Sequence, residues 1–356
     1  MIKSLKVRNL NSKINLDLEF NHDLNLLTGK NGSSKTTLLK LIWYLNGGQL
    51  YNLIKEVNFD FAELDTTSEK ISVKRDKEKG LSTITIGDSP PQTINDDNIR
   101  ELEIRHPKYR KAYTELRRKA IPTIFFPTFR RIEGGFNMEF SRHEQFYTDS
   151  LKDAMSELSN RLSYGNQKFV ASISTDDIVS LITQQYADIN TRINTIQKKQ
   201  SDSIIEKIKF RNNQQESAIL DSIQKDIENM EASRQEYFKP FNILSQLILR
   251  IFQHKGILLN NLTLGDLGDA ISSEKLSAGE KQMLSFLCYN TFTQKSTIFI
   301  DEPELSLHPD WQRTLVPTLL EQGNSNQFFM ATHSPFIYAK YPDKEIMLGN
   351  DKGDNK

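Results

Sequence analysis

The spacing of apolar positions along the chain predicts strands that alternate with helices. Residues 2–7 and 14–20 alternate apolar and polar side chains, as half-buried strands do. Four other runs are short and mostly apolar, which is typical of buried strands: residues 24–28, 121–127, 296–300 and 328–331. Helices are predicted after residue 35, after residue 277 and over residues 310–322. This alternation predicts an α/β fold.

Three more short strands are predicted between residues 57 and 88. They cover residues 57–61, 70–74 and 81–86, and Gly80 and Gly87 mark turns between them. We expect these strands to extend an antiparallel edge of the α/β domain.

The middle of the chain, from about residue 144 to residue 253, is polar and helical in composition. Apolar side chains recur there at heptad-like spacing in two arms: Ile182, Tyr186, Ile189, Ile193 and Ile196, then Leu220, Ile223, Ile227 and Met230. Between the arms, residues 198–213 lose this phase and contain the turn-prone Ser201-Asp202-Ser203 and Asn212-Asn213. The pattern predicts either an inserted helical hairpin or short coiled coil, or two amphipathic helices packed flat on the body.

Composition limits the class of partner and the compartment. The 356 residues include 46 Lys+Arg and 46 Asp+Glu, so no global charge favours nucleic acid or membrane. Cys288 is the single cysteine, which excludes an internal disulfide and fits a reducing compartment. No apolar run approaches the ~18 residues of a membrane span, and the N-terminus lacks a signal-peptide pattern. We therefore predict a cytoplasmic protein without membrane contact.

Two basic segments are candidates for contact with a partner. Residues 104–119 carry seven basic side chains and one acidic side chain. They form either a contact surface for a nucleic-acid backbone or a solvated helix face. Arg130 and Arg131 follow the strand 121–127, where they either reach a phosphate or a partner's acid or lie in a surface turn.

A glycine-bearing loop follows the strand 24–28 directly. Residues 29–37, the glycine loop, read Gly-Lys-Asn-Gly-Ser-Ser-Lys-Thr-Thr and lead into an apolar helix. Strand, loop, Lys-Thr and helix in this order are the context of a phosphate-binding loop. Its backbone N–H groups would cradle phosphate oxygens, Lys35 would neutralise the β- and γ-phosphates, and Thr36 would bind Mg²⁺. The general pattern has glycine where this chain has Ser34, so we expect Ser34 to tighten or distort the cradle. The alternative is an ordinary Gly-Ser turn.

The strand 296–300 ends in two adjacent carboxylates, Asp301 and Glu302, and Pro303 stops it. Two acids at the carboxyl end of a buried strand suit chemistry on a metal-bound phosphate. Asp301 would hold the Mg²⁺ shell, and Glu302 would orient an attacking water. The alternative is an acidic strand-to-loop turn without a site. We call residues 301–308 the acidic turn.

Two more segments place polar groups at the ends of predicted elements. Residues 276–282, the signature segment, read Leu-Ser-Ala-Gly-Glu-Lys-Gln and open a helix. Ser277 is a predicted N-cap and Glu280 completes a capping box, and such a helix start can also hold an anion. His333 follows the strand 328–331, 31 residues after Glu302, and is either a structural side chain or part of the site.

Together these segments resemble the ABC-type ATPases. The glycine loop, the signature segment, the strand with Asp301 and Glu302, and Thr332-His333-Ser334 correspond to the Walker A loop, the LSGGQ-like signature, Walker B with its catalytic glutamate, and the switch histidine. This resemblance covers residues 1–48 and 257–340. The 242 positions that separate Lys35 from Ser277, with a helical insertion between them, further resemble the SMC, RecF and OLD-type ATPases. Residues 126–133 and 301–309 resemble the ATPase components of anti-phage systems such as Septu and some retrons.

The resemblance implies a fold and a division of the chain. The fold would be an ABC-type P-loop ATPase head with a mixed sheet and an inserted helical hairpin or short coiled-coil subdomain. Residues 1–140, with Walker A, and residues 256–356, with the signature, Walker B and the switch histidine, would form the head. Residues 141–255 would form the inserted helical subdomain.

The resemblance also implies the site residues and the cofactors, ATP and Mg²⁺. Glu302 and His333 would be catalytic, and Thr36 and Asp301 would hold the metal. The nucleotide would be bound by residues of the glycine loop and the signature segment: Gly29, Lys30, Asn31, Gly32, Ser33, Ser34, Lys35, Thr36, Thr37, Ser277, Gly279 and Glu280. No glutamine is assigned as the Q-loop residue.

The implied mechanism needs a second copy of the chain. Two subunits would sandwich two ATP molecules head to tail, as a homodimer or a higher even oligomer. Ser277 and Gly279 would reach the γ-phosphate bound by the partner, and His333 would sense the γ-phosphate. Slow hydrolysis would act as a switch in anti-phage defence. The switch would control a separate effector protein, expected to be a nuclease, with DNA or RNA as a further candidate partner.

Two other functions stay open from the sequence. One is a DNA-repair or chromosome-maintenance ATPase that clamps DNA through residues 104–119 and the hairpin. The other is a nucleotide-gated scaffold with little hydrolysis, which Ser34 favours. DNA-stimulated turnover would indicate the clamp, and tight ATP binding with negligible turnover would indicate the scaffold. A transporter ATPase is disfavoured by the helical insertion.

Overall fold

A computed structural model of the chain describes residues 1–97, 114, 117–128, 131–132, 157–173, 175–209, 216–251 and 276–349. Most of the basic segment 104–119 lies outside the described residues, and so does Arg130. Within the described residues, no helix combines the length and the apolar character needed to cross a membrane.

A six-stranded parallel sheet forms the centre of the fold. Its strand order is β10-β8-β12-β13-β3-β14, and every neighbouring pair is parallel. The strands are β3 (Leu24–Thr28), β8 (Thr123–Phe126), β10 (Gln167–Phe169), β12 (Thr297–Asp301), β13 (Gln327–Ala331) and β14 (Glu345–Met347). The sheet therefore joins strands from both ends of the chain.

Helices cover both faces of this sheet, which is why its strands are apolar throughout. Helix α1 (Lys35–Gly47) packs on one face, where Trp43 contacts Phe125 with ring centroids 5.1 Å apart. Helices α5 (Ala278–Thr291) and α6 (Pro309–Glu321) pack on the other face, against side chains such as Ile298 and Met330. Cys288 lies in this second core, as expected, and burial raises the pKa of its thiol.

A second sheet is antiparallel and has the order β2-β1-β4-β5-β6-β7. Its strands are β1 (Ile2–Leu10), β2 (Ile14–Glu19), β4 (Phe61–Thr66), β5 (Lys70–Asp76), β6 (Leu81–Ile86) and β7 (Gln92–Asn95). We expected the strands between residues 57 and 88 to extend an antiparallel edge of the α/β domain. In the described residues they belong to a separate sheet, which they join where β4 pairs with β1. Other short elements are β9 (Arg131–Ile132), β11 (Ser172–Ile173), α7 (Pro335–Tyr338) and a 3₁₀ turn (Pro342–Lys344).

The predicted strand 57–61 is wrong. The short helix α2 (Leu50–Glu56), which was not predicted, ends just before it, and β4 begins only at Phe61. Val57 and Phe59 are buried although they lie in the connecting segment. Their alternating burial therefore comes from a loop that packs into the core, and the same pattern is also typical of a strand.

Two long helices, α3 (Thr175–Lys209) and α4 (Glu216–Ile251), pack against each other as an antiparallel pair. The start of α3 meets the end of α4, where the rings of Tyr186 and Phe241 lie 5.7 Å apart. Phe241 also contacts Phe292 at the end of α5, with centroids 4.9 Å apart. The predicted turn at Ser201–Ser203 is wrong, because α3 continues to Lys209 without a Gly or Pro to end it. Asn212-Asn213 lies outside the described residues.

Candidate nucleotide-binding site

The predicted site residues follow strands that end at one edge of the parallel sheet. Asp301 in β12 pairs with Ala331 in β13, and Ala331 pairs with Leu27 in β3. Segments that follow the carboxyl ends of adjacent parallel strands meet at the same edge. The glycine loop, the acidic turn and residues 332–335, which we call the histidine turn, therefore lie side by side.

A hydrogen bond joins the glycine loop to the acidic turn across 265 positions of sequence. Thr36 Oγ1 lies 2.8 Å from Oδ2 and 3.1 Å from Oδ1 of Asp301. The hydroxyl of Thr128, just after β8, donates to the same carboxylate. Hydroxyl and carboxylate oxygens are ligands that suit Mg²⁺, which keeps several waters and binds few protein groups. The donor set at this point therefore fits the predicted metal.

The ammonium of Lys35 is turned onto its own loop. Its Nζ donates to the carbonyl oxygens of Gly29, at 2.9 Å, and Lys30, at 3.1 Å, and approaches Ser33 Oγ at 3.4 Å. The residue is only 7% exposed. Phosphate oxygens would replace these weaker acceptors, since a hydrogen bond between charged groups is about twice as strong as a neutral one.

Lys35 also lies close to the acidic turn, because its neighbour Thr36 is hydrogen-bonded to Asp301. Burial lowers the pKa of Lys35, and the carboxylates of Glu302, Asp301 and Glu304 oppose this shift, in that order. Lys35 and Glu302 thus lie on the same side of the molecule.

The glycine loop has the backbone shape of an anion cradle. Gly29 and Gly32 have φ of 139° and 80°, values that favour glycine. A Cβ on Gly29 would overlap the carbonyl oxygen of Leu348. Ser34 stands directly before α1 at φ 70°, ψ 24°, and its side chain makes no capping hydrogen bond to the helix start. The amides of the first turn are therefore available to an anion.

Glu302 combines a strained backbone with a perturbed carboxyl group. Its φ of 50° lies in the left-handed region, and its N–H donates to Ala331 O at 2.8 Å. Burial raises the pKa of Glu302, and Asp301 and Glu304 add to the shift, while the charges of His333 and Lys35 oppose it. Strain of this kind clusters at functional sites, and a raised pKa suits a carboxylate that accepts a proton.

Glu304 is a site residue that the sequence reading missed. Its carboxylate accepts from Thr332 Oγ1 at 2.9 Å and from the His333 backbone N–H at 2.6 Å. It therefore fixes the histidine turn beside Glu302. The available signal was a third acid only two positions after Glu302.

The signature segment packs on the acidic turn. The predicted capping box is confirmed: Ser277 N–H donates to Glu280 Oε2 at 2.7 Å, and Glu280 N–H to Ser277 Oγ at 3.4 Å. A Cβ on Gly279 would overlap the carbonyl oxygen of Ser306. Ser277 itself is exposed, whereas Gly279 and Glu280 are buried.

Gln282 strengthens this packing. Its Nε2 donates to the carbonyl oxygens of Pro303, at 2.9 Å, and Leu305, at 2.7 Å. The structure thus brings Lys35, Thr36, Asp301, Glu302 and His333 together at one sheet edge. It places the signature segment next to them, against the acidic turn.

A parallel sheet with a strand–loop–helix phosphate cradle and an acidic strand end defines an α/β P-loop ATPase head. The chain belongs to the AAA ATPase domain family AAA_15, whose sequence model matches residues 1–338.

Two relatives and one solved structure are similar to the chain. The chain is 23% identical over 351 residues to an "ATP/GTP phosphatase" of Helicobacter pylori, a match that covers 94% of this chain and 85% of that protein. It is 30% identical over 97 residues to the "Retron Vc95 probable ATPase" of Vibrio cholerae, over 24% of this chain and 19% of that protein. A crystal structure of the Smc head domain from Pyrococcus furiosus aligns with 95% of this chain and 91% of its own, at 14% identity and a TM-score of 0.42.

The family match and the relatives confirm the predicted resemblance to RecF-type ATPases and to ATPases of defence systems. The predicted P-loop ATPase fold class is confirmed as well. The chain is thus an ATPase that binds nucleotide.

Proposed function

We propose that the chain is an Mg²⁺-dependent ATPase that works as a nucleotide-gated dimeric switch and controls a separate effector in anti-phage defence. The hydrogen bond between Thr36 and Asp301 carries the proposal, because it joins the expected metal ligands from two distant segments. Lys35 and Glu302 lie beside this pair with mutual electrostatic effects.

Each side chain has a defined task in this proposal. The glycine loop and Lys35 would bind the triphosphate, and Thr36 and Asp301 would hold Mg²⁺, which would supply positive charge to offset that of the phosphates. Glu302 accepts a proton from the attacking water, as its raised pKa suits. His333 contacts the γ-phosphate, and Glu304 fixes its backbone.

The surface near the site supports closure by a second copy. Ser277 is exposed at the start of α5, where it would reach the partner's nucleotide. Gly279 and Glu280 follow it in the first turn of the helix. Leu305 in the acidic turn and Phe336 after the histidine turn are exposed apolar side chains, 40% and 37% accessible. In the proposal these two side chains belong to the surface that the second copy covers.

The role in defence rests on the resemblance to anti-phage ATPases and on the name of the retron relative. We place the protein in the cytoplasm, with a separate effector that is a nuclease. We also keep the division into a head, residues 1–140 and 256–356, and an inserted helical subdomain, residues 141–255, as part of the proposal.

Steady-state hydrolysis and mass measurement test the switch. We expect slow ATP hydrolysis that stops when EDTA removes the metal, and a mass of two chains in light scattering when Glu302→Gln is loaded with ATP. A single-chain mass with ATP bound would contradict the dimer. Stimulation by DNA would indicate the clamp instead, and tight binding without turnover would indicate the scaffold.

Isolation of the native complex tests the effector. We expect a second protein with nuclease activity to co-purify with the chain, in amounts that depend on the nucleotide added. Recovery of the chain with nucleic acid and no second protein would contradict a separate effector.

A further inference from the structure

Ser34 occupies a position that glycine holds in the general phosphate-loop pattern, and its backbone has kept the glycine conformation. Its φ of 70° and ψ of 24° are left-handed, where a residue with a Cβ is disfavoured. The conformation therefore needs support from elsewhere in the chain.

That support comes from Asn11, in the turn between β1 and β2. Its Nδ2 donates to Ser34 Oγ at 2.8 Å and approaches Thr37 Oγ1 at 3.3 Å. The two contacted residues lie 23 and 26 positions after Asn11 in the sequence, one before Lys35 and one after it.

The turn that presents Asn11 is itself braced. Asn9, Asn11 and Ser12 all have positive φ, so the turn holds an unusual shape. Asn11 N–H donates to the carbonyl oxygen of Asn58 at 2.8 Å, and Asn58 Nδ2 donates to Ser12 Oγ at 3.2 Å. Asn11 is thus held in place before it meets the glycine loop.

We infer that Asn11 is a positioning residue for nucleotide binding, which holds the Ser34 hydroxyl and so keeps the glycine loop in the shape of an anion cradle. This inference rests on the proposed nucleotide site. It assigns a cause to the departure from the glycine pattern: the serine is compatible with the cradle because a distant amide compensates for its Cβ.

The two residues should then depend on each other. With Asn11 removed, Ser34 relaxes towards a right-handed or extended backbone and turns the adjacent amides out of the cradle. With glycine at position 34 the left-handed backbone has no steric cost, and Asn11 is no longer needed.

A double-mutant cycle tests this dependence. The full chain is compared with Asn11→Gly, Ser34→Gly and the double variant, since glycine at position 11 tolerates its φ of 52°. Affinity for ATP with Mg²⁺ is measured by calorimetry, and KM and kcat by steady-state hydrolysis. Asn11→Gly should weaken ATP binding about 3- to 10-fold when Ser34 is present, the effect of one hydrogen bond, and less than about 2-fold in the Ser34→Gly background. The change should appear in KM, with kcat at saturation nearly constant.

Asn58→Ala is the matched control, because it keeps the backbone carbonyl that accepts from Asn11 N–H and removes only the longer side-chain bond to Ser12, without contact to the glycine loop. It should leave ATP affinity as in the unaltered chain. Equal losses from Asn11→Gly in both backgrounds would overturn the assignment, and so would no loss in either. An unaltered chain that fails to bind ATP would instead overturn the proposed function.

Discussion

The glycine loop and the acidic turn lie next to each other at one sheet edge, yet they are held in different ways. In the glycine loop, residues 30–32 are exposed, and Lys35 bonds to oxygens of its own loop. Two of the side-chain hydrogen bonds described above join this loop to other segments. Thr36 donates to Asp301 in the acidic turn, and the Asn11 amide donates to Ser34.

The acidic turn is fixed from several directions. Gln282 in α5 donates to two of its carbonyls, and Gly279 allows α5 to approach closely. Gln312 in α6 donates to Leu307 O at 2.8 Å, and Glu304 joins the turn to the histidine turn. The loop expected to bind phosphate is thus open to its ligand, whereas the turn expected to act on water is preorganised by the protein.

The largest expected effect comes from removing the proton acceptor of the acidic turn. Glu302→Gln keeps the shape of the side chain and removes its charge, so kcat should fall about 10²- to 10⁴-fold while ATP still binds. Single-turnover hydrolysis and calorimetry measure the two quantities separately. Turnover at the rate of the unaltered chain would remove Glu302 from its role.

The complementary change affects the glycine loop alone. Lys35→Ala removes the charge that would meet the β- and γ-phosphates and should weaken ATP binding about 100-fold. Titration with ATP and Mg²⁺ measures this loss, and circular dichroism checks the fold. Unchanged affinity would show that phosphate does not contact Lys35.

Packing of the acidic turn can be weakened from α5. In Gly279→Ala the new methyl group overlaps Ser306 O, and the helix must shift. The free energy of unfolding should fall by about 1–3 kcal/mol, measured by urea denaturation. Gly47→Ala is the control, since its Cβ would meet the Gln167 side chain at 3.2 Å, a milder contact than the overlap with the Ser306 carbonyl oxygen. Equal losses in both variants would argue against tight packing at Gly279.

The smallest expected effect is a shift in pH dependence. Because the pKa of Glu302 is raised, hydrolysis should decline on the acid side at a higher pH than an ordinary glutamate would give. Glu304→Gln removes one of the charges that raise this pKa, so the acid limb should move to lower pH, by less than about one unit. Glu321→Gln, an exposed carboxylate paired with Arg250, should cause no shift. An acid limb that moves upward in Glu304→Gln would contradict the electrostatic account.

Local signals predicted much of this arrangement. The glycine loop, the acidic pair and the Ser277–Glu280 capping box are each specified within a few residues. As predicted, the loop follows a strand, the acids end a strand and the capping box begins a helix. The α/β fold class followed from short apolar runs with helices between them.

Contacts between distant segments were beyond such signals. Asn11 meets Ser34, Glu304 meets Thr332 and Thr128 meets Asp301 only after the sheet has formed. The error at residues 57–61 has a related cause, since a buried loop and a strand can show the same alternation. The roles proposed for the site residues stay predictions.

The position of β3 in the sheet has a consequence for synthesis. Its two neighbours, β13 and β14, belong to the last part of the described chain, and Leu348 packs on Gly29. A growing polypeptide on the ribosome contains the glycine loop early but cannot shape it until residues beyond 345 have emerged. Competence to bind ATP therefore arises only after β14 has been translated, and a product that terminates before it carries the motif without the pocket.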